Sequence, residues 1–295
     1  MKVASLPRSR VLGHELALLL ASDHIPLECR KFPDGETYLR IPVSIEGEEV
    51  ALVQSAALEP NEAIMEFVMA SATLKDLGAT RVIGILPYLP YARQDARFMP
   101  GEAVSITILA RLIEASGVDE LYTVDAHLHR FRDLSEIFAI PAHNLTAMPL
   151  LASYALERFK LQNPVVVGPD EESLQWAVKA AETLDCPYTT LVKRRVSEQE
   201  VKLTAPGEFR VKDRDVLIVD DIVSTGGTMA TAAKILVERG ARRIIAACTH
   251  ALLVGDALYR IVSSGVDILI STNTVLSPVS RVSVAPLIAE SLGMR

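Results

Sequence analysis

The stretch V-L-I-V-D-D-I-V-S-T-G-G-T, residues Val216 to Thr228, decides how this chain is read. An apolar run of strand length ends in two adjacent carboxylates, Asp220 and Asp221. Acids in such a position are costly unless they have partners. A turn of hydroxyls and glycines follows, Ser224, Thr225, Gly226, Gly227 and Thr228, and then a helical pattern from Met229 to Arg239 that closes at Gly240. Glycine is the natural residue for the left-handed position beyond a helix. Glycines also let backbone N–H groups turn onto a phosphate, and a helix N-terminus adds partial positive charge. The carboxylates are acceptors, suited to sugar hydroxyls. Strand, acidic pair, turn and helix together predict a cradle for a phosphorylated sugar. No Lys follows the glycines, so the stretch is not a Walker loop. The simplest alternative is a buried strand entering an ordinary Gly-rich turn.

Outward from this stretch the chain echoes itself. Lys2-Val-Ala-Ser-Leu-Pro loosely matches Val165-Val-Val-Gly-Pro, and a helical pattern follows each. Strands are expected at Leu27 to Phe32 and Tyr188 to Arg194, which sets Lys31 opposite Lys193. Val50-Ala-Leu-Val-Gln echoes Val216-Leu-Ile-Val-Asp, and Leu77-Gly-Ala-Thr-Arg-Val-Ile echoes Arg239-Gly-Ala-Arg-Arg-Ile-Ile. The matches lie at nearly one offset, so duplication explains them better than chance. Each half reads as alternating strands and helices, an α/β fold with a mainly parallel sheet flanked by helices. The expected domains are 1–144 and 145–284, with the helical stretch 285–295 packing back on the first.

Ligands of such sheets sit beyond the carboxyl ends of the strands, where Pro87 to Arg97, Asp125 to His127 and Gly168 to Asp170 fall beside Asp220 and Asp221. In R-K-F-P-D-G-E, Pro33 and Gly35 mark a turn that presents Phe32, Asp34 and Glu36. A ring beside carboxylates suits a purine; a plain turn with solvated acids is the alternative. In Y-L-P-Y-A-R-Q-D-A-R-F, Arg93 and Arg97 lie near Gln94 and Asp95, and two guanidiniums on one loop can clamp a polyphosphate. In V-D-A-H-L-H, His127 is the candidate partner of a magnesium–phosphate complex, with His129 in support; a zinc site is the alternative, but no convincing further ligands accompany it. In V-V-V-G-P-D-E-E-S, Asp170 is a candidate hard ligand for Mg²⁺. Glu171, Glu172 and Ser173 are expected in the first turn of a helix, where acids also favour the dipole. Lys193-Arg194-Arg195 precedes a polar stretch that reads as a closing loop, where cations can meet charge on transferring oxygens.

Composition narrows the classes. A chain of 295 residues suggests roughly two domains. Hydrophobic content of 49% with 23% charged residues is ordinary for a globular protein. A net charge of −7 argues against nonspecific nucleic-acid binding. Cys29, Cys186 and Cys248 are scattered, as expected of reduced thiols. No apolar run of membrane-spanning length occurs, and Met1 to Arg10 has no long apolar core, so a cytoplasmic protein without a membrane partner is expected.

In this order F-x-D-G-E, Y-A-R-Q-D, D-x-H, P-D, K-R-R and D-D-x-x-S-T-G-G-T make the chain resemble the ribose-phosphate pyrophosphokinases, from about Phe32 to Thr272. The last motif resembles the 5-phosphoribosyl-1-pyrophosphate (PRPP) binding motif of the phosphoribosyltransferase fold, and the family is built from two such halves. The resemblance implies Mg²⁺-dependent transfer of the β,γ-diphosphoryl group of ATP to O1 of ribose 5-phosphate, giving PRPP and AMP. It implies that Phe32, Asp34, Gly35 and Glu36 hold adenine and that Arg93, Gln94, Asp95 and Arg97 serve the nucleotide. His127 and Asp170 would serve Mg²⁺. Lys193 and Arg195 would be catalytic, Arg195 also touching ribose 5-phosphate. Asp220 and Asp221 would bind the ribose hydroxyls, and Ser224 to Thr228 the 5-phosphate. It further implies a homo-oligomer, a dimer or higher, with the ATP site at a subunit interface. Glu171 and Glu172 stand where many members have small residues, Ser224 stands where Asp is common, and the loop after Arg97 is short. These departures look more like the archaeal branch and bear on regulation rather than chemistry. A PRPP-consuming phosphoribosyltransferase would leave F-P-D-G-E, Y-A-R-Q-D and K-R-R unexplained. A non-catalytic regulatory homologue should have lost a charge at the reacting centre, yet His127, Asp170, Lys193 and Arg195 are all present.

Overall fold

Val165-Val-Val-Gly168 and Glu120–Val124 are buried along their whole length, the mark of strands in a parallel sheet covered on both faces. The computed structural model describes residues 1–128, 130–195, 201–204 and 210–293, with the backbone alone at 192–195 and 201–204. The chain divides into two units, Met1–Leu145 with Ser283–Arg295, and Thr146–Val282.

The first unit contains β1 (Lys2–Ser5), α1 (Arg10–Leu19), β2 (His24–Pro26), β3 (Glu28–Lys31), β4 (Thr37–Arg40), β5 (Glu49–Val53), α2 (Pro60–Asp76), β6 (Arg81–Ile85), α3 (Ser105–Ala115), β7 (Glu120–Val124) and β8 (Ala142–Leu145). The second contains α4 (Met148–Phe159), β9 (Val165–Gly168), α5 (Leu174–Leu184), β10 (Tyr188–Thr190), β11 (Val192–Arg195), β12 (Val201–Thr204), β13 (Asp215–Val223), α6 (Gly227–Glu238), β14 (Arg243–Ala251), α7 (Ala257–Val262), β15 (Ile268–Thr272) and β16 (Ser280–Val282). Helix α8 (Ala285–Gly293) returns to the first unit, where it packs on α1 and the Ser283 hydroxyl donates to Glu15.

Both units are six-stranded parallel sheets of one topology, β2-β1-β5-β6-β7-β8 and β10-β9-β13-β14-β15-β16. Alternate residues of one strand feed opposite cores, as the period of two requires. In the second unit Val165 and Val167 pack with Met229, Ala233 and Leu236 of α6, while Val166 packs with Leu151 of α4 and Trp176 of α5.

The duplication extends to single hydrogen bonds. Gly78 (φ +90°) and Gly240 (φ +79°) end α2 and α6 in the left-handed conformation. Ala79 N–H donates to Leu74 O and Ala241 N–H to Leu236 O, each at 3.0 Å, closing the same Schellman cap. Asp119 accepts from Val82 N–H at 2.7 Å, and Asp267 accepts from Ile244 N–H at 2.8 Å.

Four local expectations change. The expected strand Tyr188–Arg194 breaks into β10 and β11, and the expected Leu27–Phe32 shrinks to β3, separated from β2 at Leu27. Buried Leu27 and Leu191 donate the last sheet bonds, to Ser5 O and Gly168 O at 2.9 Å, and the chain then leaves the sheet as an antiparallel hairpin, β3–β4 or β11–β12. Counting on from these leucines sets Lys31 opposite Arg195 and Cys29 opposite Lys193, which corrects the expected Lys31–Lys193 pairing. Strand β13 does not stop at the carboxylates but runs through them to Val223, because β14 extends beside it to Ala251. Helix α5 begins at Leu174, so Glu171 and Glu172 lie in the preceding turn. That turn is closed by Ser173, whose hydroxyl donates to Asp170 O at 2.6 Å and whose N–H donates to Asp170 Oδ1 at 3.2 Å.

Candidate functional site

In the second unit β9 and β13 carry their acids to the same end of the sheet. Gly168 ends β9 in a position where a Cβ would meet Ser173 Oγ at 2.3 Å and Thr190 Cγ2 at 2.8 Å, so only glycine fits the turn that presents Asp170. Asp220 Oδ1 accepts from Asp221 N–H at 3.0 Å, and Asp221 Oδ1 accepts from Ile222 N–H at 2.7 Å. Burial, then the neighbouring charges of Asp221 and Asp170, push the Asp220 carboxyl well above the usual carboxylate range. Three acids therefore share one field, and a bound cation or a ring of hydroxyl donors relieves it. Cys248 lies beneath, its thiol pushed up by burial and by Asp220.

The turn after β13 is built from backbone. Gly226 sits at φ +74° as the residue before α6, and a Cβ there would lie 3.0 Å from Ala257 O and Ile261 Cδ1. No side chain caps α6, which leaves its first-turn amides for an anion. Ser224 is half-buried and Thr225 and Thr228 are exposed. Val254 N–H donates to Ser224 O at 3.0 Å, and Leu252 and Leu253 both donate to Val223 O, fixing the turn to the segment after β14.

In the first unit the nucleotide candidates occupy two loops. Phe32 to Glu36 form the tip of the β3–β4 hairpin, closed by Phe32 N–H to Glu36 O at 2.8 Å and Gly35 N–H to Phe32 O at 2.9 Å. Gly35 is at φ +96°, and Asp34 Oδ1 accepts from Glu36 N–H at 3.2 Å. The Phe32 ring meets Tyr38 edge-on at 5.9 Å and is 40% exposed, open to a stacking partner. After β6, Arg93 and Arg97 are exposed and Gln94 is half-buried. Asp95 instead turns inward, buried, and accepts from Arg130 Nη1 at 2.7 Å and Arg130 N–H at 3.2 Å. Glu102 organises the rest of the loop by accepting from Phe98 and Met99 N–H at 2.8 and 3.0 Å, and these bonds hold its carboxyl below the usual range. Sequence reasoning missed Arg130 and Glu102; nothing in their spacing announces a partner 35 residues away for Asp95.

His127, half-buried, follows β7 through Asp125, which is buried at φ +40°. Asp tolerates the left-handed backbone, and here it turns the chain sharply at the end of β7. Asn144 Oδ1 accepts from Ala126 N–H at 2.9 Å and steadies this turn. His129 lies outside the described residues, and Lys193 and Arg195 are described by their backbone in β11 alone. Among the described residues no three His, Cys, Asp or Glu side chains gather as a metal cluster, and no helix is long and apolar enough to cross a membrane.

The family model for the N-terminal domain of ribose phosphate pyrophosphokinase matches residues 1–117, and the phosphoribosyl transferase domain matches 133–267. The ribose-phosphate pyrophosphokinase of Methanothermobacter thermautotrophicus is 44% identical over 282 residues, 96% of each chain. The chain belongs to the ribose-phosphate pyrophosphokinase family. The Methanopyrus kandleri ribose-phosphate pyrophosphokinase is 41% identical over 95% of this chain and 94% of its own. The phosphoribosylpyrophosphate synthetase of Mycobacterium smegmatis has the same fold, with a TM-score of 0.87 and 29% identity over 99% of this chain and 98% of that one. Both parallel sheets of this pyrophosphokinase family member are thus accounted for.

Proposed function

We propose that the protein transfers the β,γ-diphosphoryl group of ATP to the O1 hydroxyl of ribose 5-phosphate, releasing AMP and PRPP. The observation that carries this reading is the second unit's strand-end geometry, an acidic pair running directly into an uncapped helix behind a left-handed glycine, in a chain of this family. Ser224 to Thr228 hold the 5-phosphate through amides and hydroxyls. Asp220 and Asp221 accept from the ribose hydroxyls, and the raised Asp220 carboxyl is relieved by those donors. In the first unit Phe32 stacks on adenine, Asp34, Gly35 and Glu36 hold its edge, and Arg93, Gln94 and Arg97 meet the nucleotide; Asp95 keeps their loop in place through Arg130.

The ribose O1–H attacks the β-phosphorus, the bond from the β-phosphorus to the bridging oxygen of the α-phosphate breaks, and AMP leaves while the O1 proton is lost. Lys193 and Arg195 meet the charge that grows on the transferring oxygens, and Arg195 also touches the sugar phosphate. Positioning and electrostatics supply most of the acceleration, as in other phosphoryl transfers.

Nucleotide phosphoryl transfer generally uses a divalent metal. The hard oxygens of Asp170, in the field of Asp220 and Asp221, fit Mg²⁺, and His127 is the candidate in the first unit. Mg²⁺ takes few protein ligands and keeps water and substrate phosphates, so a three-residue cluster is not required. When bound it neutralises charge on the polyphosphate. Implied by the same family, a homo-oligomer with the adenine hairpin serving a neighbouring copy completes the reading, in a cytoplasmic setting.

The test is a product assay with ATP, ribose 5-phosphate and Mg²⁺. AMP formed one-for-one with PRPP is the expected result. ADP as the product, or no AMP from folded protein that binds nucleotide, rejects the reading.

A further inference from the structure

The first unit keeps the sheet of the second but has rebuilt its ligand end. Lys2 pairs with Val50 as Val165 pairs with Val216, so Gln54 and Ser55 take the places of Asp220 and Asp221. Arg8 stands on the loop after β1, where the second unit carries Asp170, Glu171 and Glu172 after β9. Its guanidinium donates to Glu59 at 2.8 Å and to Glu62 at 3.1 Å, and lies 3.9 Å from Glu66. Buried Gln54 donates to Glu66 at 2.8 Å. An acidic, ligand-facing end has become a closed network of one arginine, three glutamates and an amide.

That network reaches the nucleotide hairpin. Lys31, the last residue of β3, donates to the second oxygen of Glu62 at 2.5 Å, so Glu62 bridges Arg8 and Lys31. Phe32 follows immediately. Neighbouring residues of a strand point to opposite faces, and Arg30 occupies the other one. Its guanidinium lies 4.2 Å from the centroid of its cross-strand partner Tyr38 and 5.3 Å from that of Phe32. The hairpin pairs with no further strand, and its base is held by Cys29 and Leu39 against the first core, which leaves its tip as the less supported part. A cleft of about 520 Å³, lined by Lys31, Glu36, Asn61, Glu62, Met65 and Met69, separates its tip from α2. The Lys31–Glu62 pair lines this open side, between the packed base of the hairpin and its tip.

We propose that Arg8, Glu62 and Lys31 form a brace that sets the hairpin's angle on α2, and so are positioning residues for the nucleotide base. This rests on the reading that the hairpin receives adenine. The brace acts on ATP affinity before any chemistry, so it raises the dissociation constant when cut and leaves the turnover number alone. Arg8 matters more than Lys31, because its loss also leaves three glutamates facing one another.

The experiment measures ATP binding by calorimetry without ribose 5-phosphate, kcat, and hydrogen exchange of residues 28–40, on the full chain. Lys31→Met is expected to weaken ATP about three- to ten-fold, the range of a partly exposed pair within a network. Exchange at the Phe32 and Gly35 amides accelerates, kcat holds, and Lys31→Arg restores both affinity and exchange. Glu62→Gln, which keeps the side-chain volume, reproduces the loss. Unchanged ATP affinity in both Lys31→Met and Glu62→Gln overturns the proposal, as does faster exchange without weaker binding. Wild-type protein that binds ATP yet forms no AMP would reject the functional reading alone, since affinity and exchange still decide the brace.

Discussion

The two units share a sheet, a strand order and individual caps, yet they differ where the strands end. In the second, β13 and β14 are nine residues long and carry the acidic pair out to a glycine turn. Their counterparts β5 and β6 have five residues and stop at the polar network around Gln54. The core positions kept their character because any change there opens a cavity or overpacks the sheet. The strand ends differ in their polar groups, while their loops still bury residues such as Leu89 and Ala92. One scaffold thus ends in an acidic pair and an uncapped helix in one copy and in a polar network beside a hairpin in the other.

The largest expected effect compares the hairpins. Lys193→Ala should lower kcat by roughly a thousand-fold, the scale of a lost transition-state donor, with ATP affinity retained in calorimetry. Cys29→Ala, at the equivalent position of β3, should leave kcat alone. A Lys193 variant that turns over normally removes that residue from the mechanism.

Next comes the phosphate turn. Gly226→Ala combines a left-handed φ of +74° with a Cβ 3.0 Å from Ala257 O, and steady-state kinetics should show kcat/KM for ribose 5-phosphate falling about a hundred-fold, as displaced positioning groups do. ATP binding should be unaffected.

Asp220→Asn separates function from stability. A carboxyl whose folded pKa is raised costs stability once pH climbs past its unfolded value, about 3.9 for Asp. The variant should therefore melt higher than wild type, with an advantage that grows from acid toward neutral pH, while losing ribose 5-phosphate binding. Melting curves across that range, without ligand, check the sign.

The opposite ends of the sheets give a stability pair. Asp215 is fully buried and accepts from Arg242, Arg243 and the Gln162 amide. Burial pushes its carboxyl up, but the guanidiniums and amide outweigh that and hold it below the usual range. Its stabilisation is present above the unfolded pKa and lost as pH falls through the depressed folded value. Asp215→Asn should cost about 3 kcal/mol at neutral pH, because two arginines lose a buried partner. The counterpart Glu49, half-exposed at 3.5 Å from Arg81, should cost less than about 1 kcal/mol as Gln. Denaturant titration of both variants distinguishes buried from solvent-screened pairing.

The smallest effect is a swap. Gly47 at φ +77° and Asp213 at φ +61° make the same bond, donating at 2.9 Å to Gly78 O and Gly240 O. Gly47→Asp should therefore shift stability by less than about 0.5 kcal/mol, since Asp tolerates the left-handed region. A larger loss would show that the two turns are less alike than their hydrogen bonds.

Much of this was legible in the chain. The echo from Leu77 to Ile83 against Arg239 to Ile245 marked equivalent helix caps because a Schellman turn admits little but glycine. Asp220 through Thr228 announced a strand that enters a glycine turn and a helix, because backbone chemistry, not a remote partner, builds that turn. Reading failed where a contact joins distant residues. Asp95 was read within its loop, and its ion pair with Arg130 was not foreseen. Lys31 was matched by residue type to Lys193, although the sheet bonds of Leu27 and Leu191 set a register two residues away.

Local pattern alone determined the duplication, the parallel sheets, the glycine turns and the order of the motifs, because periodicity and backbone freedom are properties of neighbouring residues. Tertiary structure decided how far β13 runs beside β14, where the hairpins leave the sheet, and that Lys31 of the first hairpin meets Glu62 of α2. Those outcomes depend on which surfaces and charges meet between residues well separated in the chain, as Lys31 and Glu62 are, and no short-range pattern carries that information.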